Sequence, residues 1–225
     1  MKFNGFIFDF NGVLWWDNDL QEQAWQQFAK KLAGRTLTSQ EMDIYVHGRP
    51  NSDTITYLLG HKPDVAELAK MNQEKEDIYR GFCLAEGENF KLSPGAVALL
   101  DFLRSNNISH TIATSSLAGN VQFFFEHLGL AKWFDLQKVA CDDGTMPGKP
   151  APDIYLKAAS NIGLSPEQCV VVEDAISGLQ SASAAGIGWL IALGPKEKHL
   201  GLSQQPGVKQ VVINLGEINK EQLFF

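Results

Sequence analysis

Hydrophobic positions along the chain fall into two textures. Short aromatic and β-branched runs recur at Phe6-Ile7-Phe8, Ser109 to Thr114, Cys169-Val170-Val171-Val172, Trp189 to Leu193 and Val211-Val212-Ile213, with a shorter apolar stretch around Val139-Ala140. Runs of this length between turn formers predict buried strands. Between them, apolar residues at helical spacing predict helices over 96–105, 121–130, 152–162 and a segment running through Ala185, with Gly129 near the second helix's C-terminus. Strands alternating with helices of this length predict right-handed βαβ units and a mostly parallel sheet.

From Leu20 to about Leu84 the texture changes. Gln, Glu, Lys and Ala dominate, with apolar residues at helical spacing (Ala24, Trp25, Phe28, Ala29, Leu32), and turn signals at Gly34, at Gly48-Arg49-Pro50-Asn51 and at Gly60-His61-Lys62-Pro63. This stretch predicts an all-helical insertion. The expected fold class is therefore α/β: a doubly wound, Rossmann-like parallel-sheet core built from residues 1–15 and 89–225, with a helical cap over 16–88 inserted after the first strand.

In parallel sheets of this kind ligands bind outside the carboxyl ends of the strands. Three predicted strand ends carry polar groups, Asp9, Thr114-Ser115 and Glu173-Asp174, and Lys149 lies in the loop before the helix that starts near Pro152. A lone strand-end Asp most simply caps a helix. Four polar clusters on one rim point instead to a site. Asp9 and Asp174 supply the hard oxygen ligands that magnesium takes alongside water and phosphate. Thr114, Ser115 and Lys149 supply donors and one positive charge for a phosphoryl group's outer oxygens. A carboxylate screened by a metal can attack phosphorus and form an acyl phosphate that water later opens.

Composition narrows the partners. Of 225 residues, 44% are apolar and 20% charged, which suits one large domain or a domain with an insertion. The formal charge is −7, and no Lys or Arg run stands out, which speaks against nucleic acid or an anionic membrane as partner. Small anionic substrates need only a few placed cations. Cys83, Cys141 and Cys169 are odd in number and lack metal spacing, so reduced thiols in a cytoplasmic protein are expected. The N-terminal apolar run is too short for a signal segment, and no stretch approaches the ~18 apolar residues needed to span a bilayer. The expected state is a monomer or weak homodimer.

Phe8-Asp9-Phe10-Asn11-Gly12-Val13-Leu14 resembles the first motif of the haloacid dehalogenase-like superfamily. Ile112-Ala113-Thr114-Ser115 is similar to its second motif, Gly148-Lys149-Pro150-Ala151-Pro152-Asp153 to its third, and Val172-Glu173-Asp174 followed by Gly178 to its fourth. The four occur in order over nearly the whole chain. The insertion resembles the cap of the β-phosphoglucomutase-like branch, where Arg49, Asn51 and Lys75 fall at substrate-facing places. The resemblance implies a magnesium-dependent enzyme acting on a small phosphorylated metabolite. Asp9 would be nucleophile and metal ligand, with position 11 giving the metal its backbone carbonyl and Asp174 its carboxylate. Glu173 would bind the metal directly or hold a metal water. Thr114 would bond the phosphoryl group, with Ser115 as alternative, and Lys149 would pair with Asp9 and the phosphate.

Two departures matter. Phosphoryl-transferring members usually have Asp at position 11 as general acid and base. Here it is Asn11, whose amide neither gives nor takes a proton near neutral pH; losing such a group costs on the order of 10²–10⁴ in rate. Good leaving groups, such as acyl or enol phosphates, would tolerate that; Asp17, Asp19 or His47 in the cap would supply the proton otherwise; or the site binds more than it turns over. Asn11-Gly12 is also a pair open to deamidation, and an engineered change at position 11 is a further reading. In the cap, Gln21 lies near the place of a mutase histidine and Asn51 near that of a phosphate-gripping arginine, which favours hydrolysis over a phosphomutase reaction. Metal-free dehalogenation is disfavoured by the retained Glu173-Asp174 pair. Trp15 and Trp16 are read as hinge packing, and Asp142-Asp143-Gly144 as a turn.

Overall fold

The computed structural model describes residues 3–225. In chain order the first elements are β1 (Gly5–Phe8), α1 (Asn18–Ala33), α2 (Ser39–Tyr45), α3 (Asn51–Leu59) and α4 (Val65–Ala85). They are followed by α5 (Ala96–Ser105), β2 (Ser109–Leu117), α6 (Ala118–Leu128), β3 (Ala140–Asp142), α7 (Asp153–Asn161) and β4 (Cys169–Glu173). The chain closes with α8 (Ile176–Ala184), β5 (Trp189–Leu193), α9 (His199–Ser203), β6 (Val208–Val212) and α10 (Lys220–Phe224). It divides into two compact units, one made of the chain through Trp16 together with Leu92–Phe225, the other of Asp17–Lys91.

The first unit is an α/β layer structure, the Rossmann-like class expected from the alternating pattern. Its six strands run parallel in the order β3-β2-β1-β4-β5-β6. The chain winds outward from β1 through β2 to β3, then returns to β4 on the other side of β1. That reversal makes the carboxyl end of β1 the switch point where such sheets bind ligands. β1 and β4 are buried along their whole length because both faces of the central sheet are covered. Ile7, Val171 and Leu190 pack with Ile154, Tyr155, Leu179 and Ala182 from α7 and α8, a core closed to water.

Strand limits differ from the sequence reading at the sheet's edges. β2 runs on through Ser115 and Ser116 to Leu117, because Leu117 still pairs with Asp142 of β3. β6 begins at Val208, three residues before the apolar run, since its polar Lys209 and Gln210 sit on an edge strand that is only half covered. Hydrophobicity marks central strands better than edges for this reason.

The second unit is four helices around Trp25, Phe28, Ala29, Leu37, Met42, Val46 and Ile55. α1 and α3 end at Gly34 and Gly60, both in the left-handed conformation. Thr38 and Asp64 each form a capping box, with Glu41 and Glu67, at the starts of α2 and α4. No helix among the described residues is long and apolar enough to cross a membrane. The three cysteines are free.

Candidate active site

The site of the first unit grows out of strand register. Phe8 lies opposite Ile112 of β2 and Val172 of β4, so Asp9 stands level with Glu173 and one residue short of Thr114. The Asp9 N–H donates to the Val172 carbonyl at 3.0 Å, continuing the ladder one residue past β1. Immediately beyond, the Phe10 carbonyl accepts from Leu14 N at 2.9 Å and Trp15 N at 3.1 Å, and Gly12 N donates to the Trp15 carbonyl at 2.7 Å. This closes residues 10–15 into a tight turn. Gly12 is required there: its φ is +78°, and a Cβ would fall 2.1 Å from Asp174 Oδ2. Trp15, the last residue of this turn, is buried, while Trp16 is 45% exposed.

Lys149 reaches the rim from the loop before α7. Its Nζ donates to Asp9 Oδ1 and to Glu173 Oε2, each at 2.7 Å, and all three residues are at least nine-tenths buried. Burial lowers the pKa of the ammonium, but Asp9 and Glu173 outweigh it and raise the pKa above the ordinary value. Glu173 also accepts from the Tyr155 hydroxyl and from Ala175 N at 3.1 Å. Burial first, then the neighbouring Glu173 charge, hold Tyr155 well above its ordinary pKa, so it stays a donor.

Asp9, Glu173 and Asp174 each place a carboxylate oxygen within 4.8 Å of the others. Three carboxylates face one ammonium, and the cost of keeping all of them ionised shows at Asp9. Burial is the main cause that raises its pKa well above the carboxylate range; Glu173 and Asp174 add to it, and Lys149 opposes. A compact set of hard oxygens with uncompensated charge suits a small divalent cation such as magnesium. Asp174, the half-buried member, is held over Gly12 and faces this cluster.

Thr114 is buried at the end of the same rim, and its Oγ1 accepts from Ser116 N at 3.1 Å. Ser115 is half-buried. Ser116, not singled out in the sequence, donates from Oγ to Asn11 Oδ1 at 2.8 Å. Tyr155 was missed as well. It sits at an apolar position of α7, where only the resolved contact distinguishes it from core packing.

In the second unit Lys75, Asn51 and Asp17 share one polar network. Lys75 is 2% exposed; its Nζ donates to Gln21 Oε1 at 2.8 Å and to Glu76 Oε1 at 3.1 Å, lying 4.9 Å from the Trp25 ring centre. Asn51 Nδ2 donates to the same Glu76 oxygen at 2.5 Å. Asp17, fully buried, accepts from Tyr79 at 2.5 Å and from Gln21 at 3.3 Å. Arg49 is half-buried in the turn before α3. His47 lies 3.2 Å from Glu22 and 3.4 Å from Asp43.

With this geometry in hand, comparison with known proteins places the chain. The family model described as haloacid dehalogenase-like hydrolase matches residues 3–186, and the chain belongs to that family. Hexitol phosphatase A of Escherichia coli (strain K12) is 31% identical over 186 residues, covering 83% of this chain and 81% of that protein. A solved HAD hydrolase, family IA, variant 3, from Entamoeba histolytica HM-1:IMSS matches with a TM-score of 0.86 at 37% identity, covering 99% of this chain and 97% of that one. The β-phosphoglucomutase of Clostridium difficile matches with a TM-score of 0.80 at 25% identity, covering 98% and 95%. The resemblance to the β-phosphoglucomutase-like branch, read in the sequence from the inserted helical segment, is thus found in the fold as well.

Proposed function

We infer that the protein is a magnesium-dependent phosphatase of a small phosphorylated metabolite, working through a phosphoryl group carried on Asp9. The observation that carries this reading is the meeting of Asp9, Lys149, Glu173 and Asp174 at the switch point of a parallel sheet. The kinship with hexitol phosphatase A favours phosphate monoesters of sugars or polyols as substrates.

Asp9, Asp174, the backbone carbonyl of Asn11 and Glu173, directly or through water, would hold the magnesium. Bound there, the ion supplies charge neutralisation at the phosphoryl oxygens. Asp9 attacks phosphorus, the bond to the leaving oxygen breaks, and the leaving group departs as its oxyanion, to be protonated by solvent; water then attacks the phosphorus of the acyl phosphate, giving up its proton to solvent, and phosphate leaves as the carboxylate is restored. Lys149 pairs with the phosphoryl oxygens while keeping Asp9 aligned, and Thr114, with Ser115 beside it, donates to the phosphoryl group. Arg49, Asn51 and Lys75 are the cap's candidates for substrate selection.

Asn11 shapes the reaction. Its amide gives a leaving oxygen no proton, so the sugar or polyol phosphates that kinship points to are turned over slowly here, and acyl and enol phosphates, which leave as stable anions, are turned over faster. The same residue favours a second reading, a weak catalyst that mainly binds metal and phosphate. A phosphomutase reaction is less favoured than either, because Gln21 and Asn51 carry neither the imidazole used in the sugar phosphate reaction nor the guanidinium that would grip a second phosphate.

The test is phosphate release from a broad phospho-metabolite panel, acyl phosphates included, with magnesium and with chelator. Magnesium-dependent release supports the phosphatase. Ligand-dependent thermal stabilisation without release supports the binding protein instead.

A further inference from the structure

Behind Asp9 lies a buried node in which one group has no place in the chemistry above. Glu173 is 1% exposed, and its carboxylate accepts from three protein donors. Lys149 Nζ at 2.7 Å and the Tyr155 hydroxyl share Oε2, while Ala175 N lies 3.1 Å from Oε1. Gly178 closes the carboxyl group in, since a Cβ there would fall 2.0 Å from Glu173 Cδ. Tyr155 is fully buried in the first turn of α7, six residues after Lys149, and its ring centre lies 5.1 Å from the Lys149 ammonium. The phenol therefore meets Lys149 twice, through its ring face and through Glu173.

We propose that Tyr155 is a positioning residue whose hydroxyl, acting through Glu173, sets where the Lys149 ammonium lies against Asp9. The ammonium stands between two carboxylates at equal 2.7 Å distances. A hydrogen bond from a phenol meets part of the charge on Glu173 Oε2, so that carboxylate pulls less strongly on the shared cation. Without the hydroxyl, Glu173 draws the ammonium toward itself and away from Asp9. Displacements of ~1 Å at a reacting centre cost on the order of 10² in rate. The kinetic consequence rests on the phosphatase reading; the tether itself does not.

Tyr155→Phe removes the hydroxyl and keeps the ring. Its kcat falls ~10- to 100-fold while KM changes less than about threefold, because the misplacement is felt in the transition state. In a Glu173→Gln background the same change costs less than about twofold further, since the two residues act as one unit. Independently of turnover, the 15N resonance of the Lys149 ammonium, identified by its loss in Lys149→Met, moves or broadens in Tyr155→Phe while that of exposed Lys157 does not. Biosynthetic fluorotyrosine, a stronger donor of nearly the same shape, shifts the Lys149 signal in the opposite sense and serves if Tyr155→Phe does not fold. An unmoved ammonium resonance overturns the proposal, as do unchanged kcat with only a lowered melting temperature, or losses that simply multiply in the double variant. If the wild type turns over no phosphorylated compound, the phosphatase reading fails separately, and the resonance alone decides for or against the tether.

Discussion

Ser116 Oγ donates to Asn11 Oδ1 at 2.8 Å, tying the residue two places past Asp9 to the end of β2. That contact holds the Asn11 side chain against β2, so position 11 is a placed, proton-neutral group. Asn11→Asp is expected to raise kcat on alcohol phosphates by on the order of 10², and to change acyl-phosphate turnover only a few-fold, because only the former need protonation. Steady-state rates on one substrate of each kind, with peptide masses checked for deamidation at Asn11, measure this. Equal gains on both would mean that Asn11 acts on something other than the leaving group.

The ion pair of Lys149 with Asp9 and Glu173 is buried, so breaking it exposes no charge to water. Lys149→Met is expected to destabilise the protein by about 3–5 kcal/mol, the cost of leaving buried carboxylates without their cation. Denaturant melts in chelator read this directly. Added magnesium is expected to recover part of the loss.

The pKa of Asp9 is raised, mainly by burial and then by Glu173 and Asp174. A carboxyl raised on folding contributes stability at low pH, and that contribution disappears as pH climbs from the ordinary carboxylate range through the raised folded value. Metal-free protein therefore carries a growing electrostatic penalty over that window, which a divalent cation relieves. The rise in melting temperature produced by magnesium is expected to be larger at pH 7.5 than at pH 5, read by thermal denaturation with magnesium and with chelator. An increment that shrinks with pH would place the bound cation elsewhere.

Gly178 packs against the Glu173 carboxyl, and Gly178→Ala places a methyl group inside contact distance of it. Overpacking of this kind costs about 1–3 kcal/mol. Loss of activity is expected to exceed the loss of stability, because the displaced side chain is the one that holds Lys149.

The fold and the rim were legible in the sequence because central parallel strands announce themselves as unbroken apolar runs, and Asp9 and Glu173 sit directly at their ends. The register that brings these two abreast, Phe8 opposite Val172, is seen only in the structure. Edges were harder: Lys209 and Gln210 belong to β6, yet nothing apolar marks them. Ser116 and Tyr155 were missed for opposite reasons. The serine sits in a polar string where one hydroxyl looks like the next, and the tyrosine looks like ordinary helix packing until its hydroxyl is seen on Glu173. Lys75, at a spacing that suggests a solvated charge, is buried beside Gln21 and Glu76, and only the three-dimensional network distinguishes the two cases.

The most direct test of the central claim is acid quench of the enzyme during turnover, with peptide mass spectrometry to locate the phosphoryl group. With magnesium present, the phosphoryl group is expected on the peptide that contains Asp9, and Asp9→Asn is expected to abolish both this adduct and phosphate release. Phosphate release that continues undiminished in Asp9→Asn, with no phosphoryl group found at that position, would contradict the account.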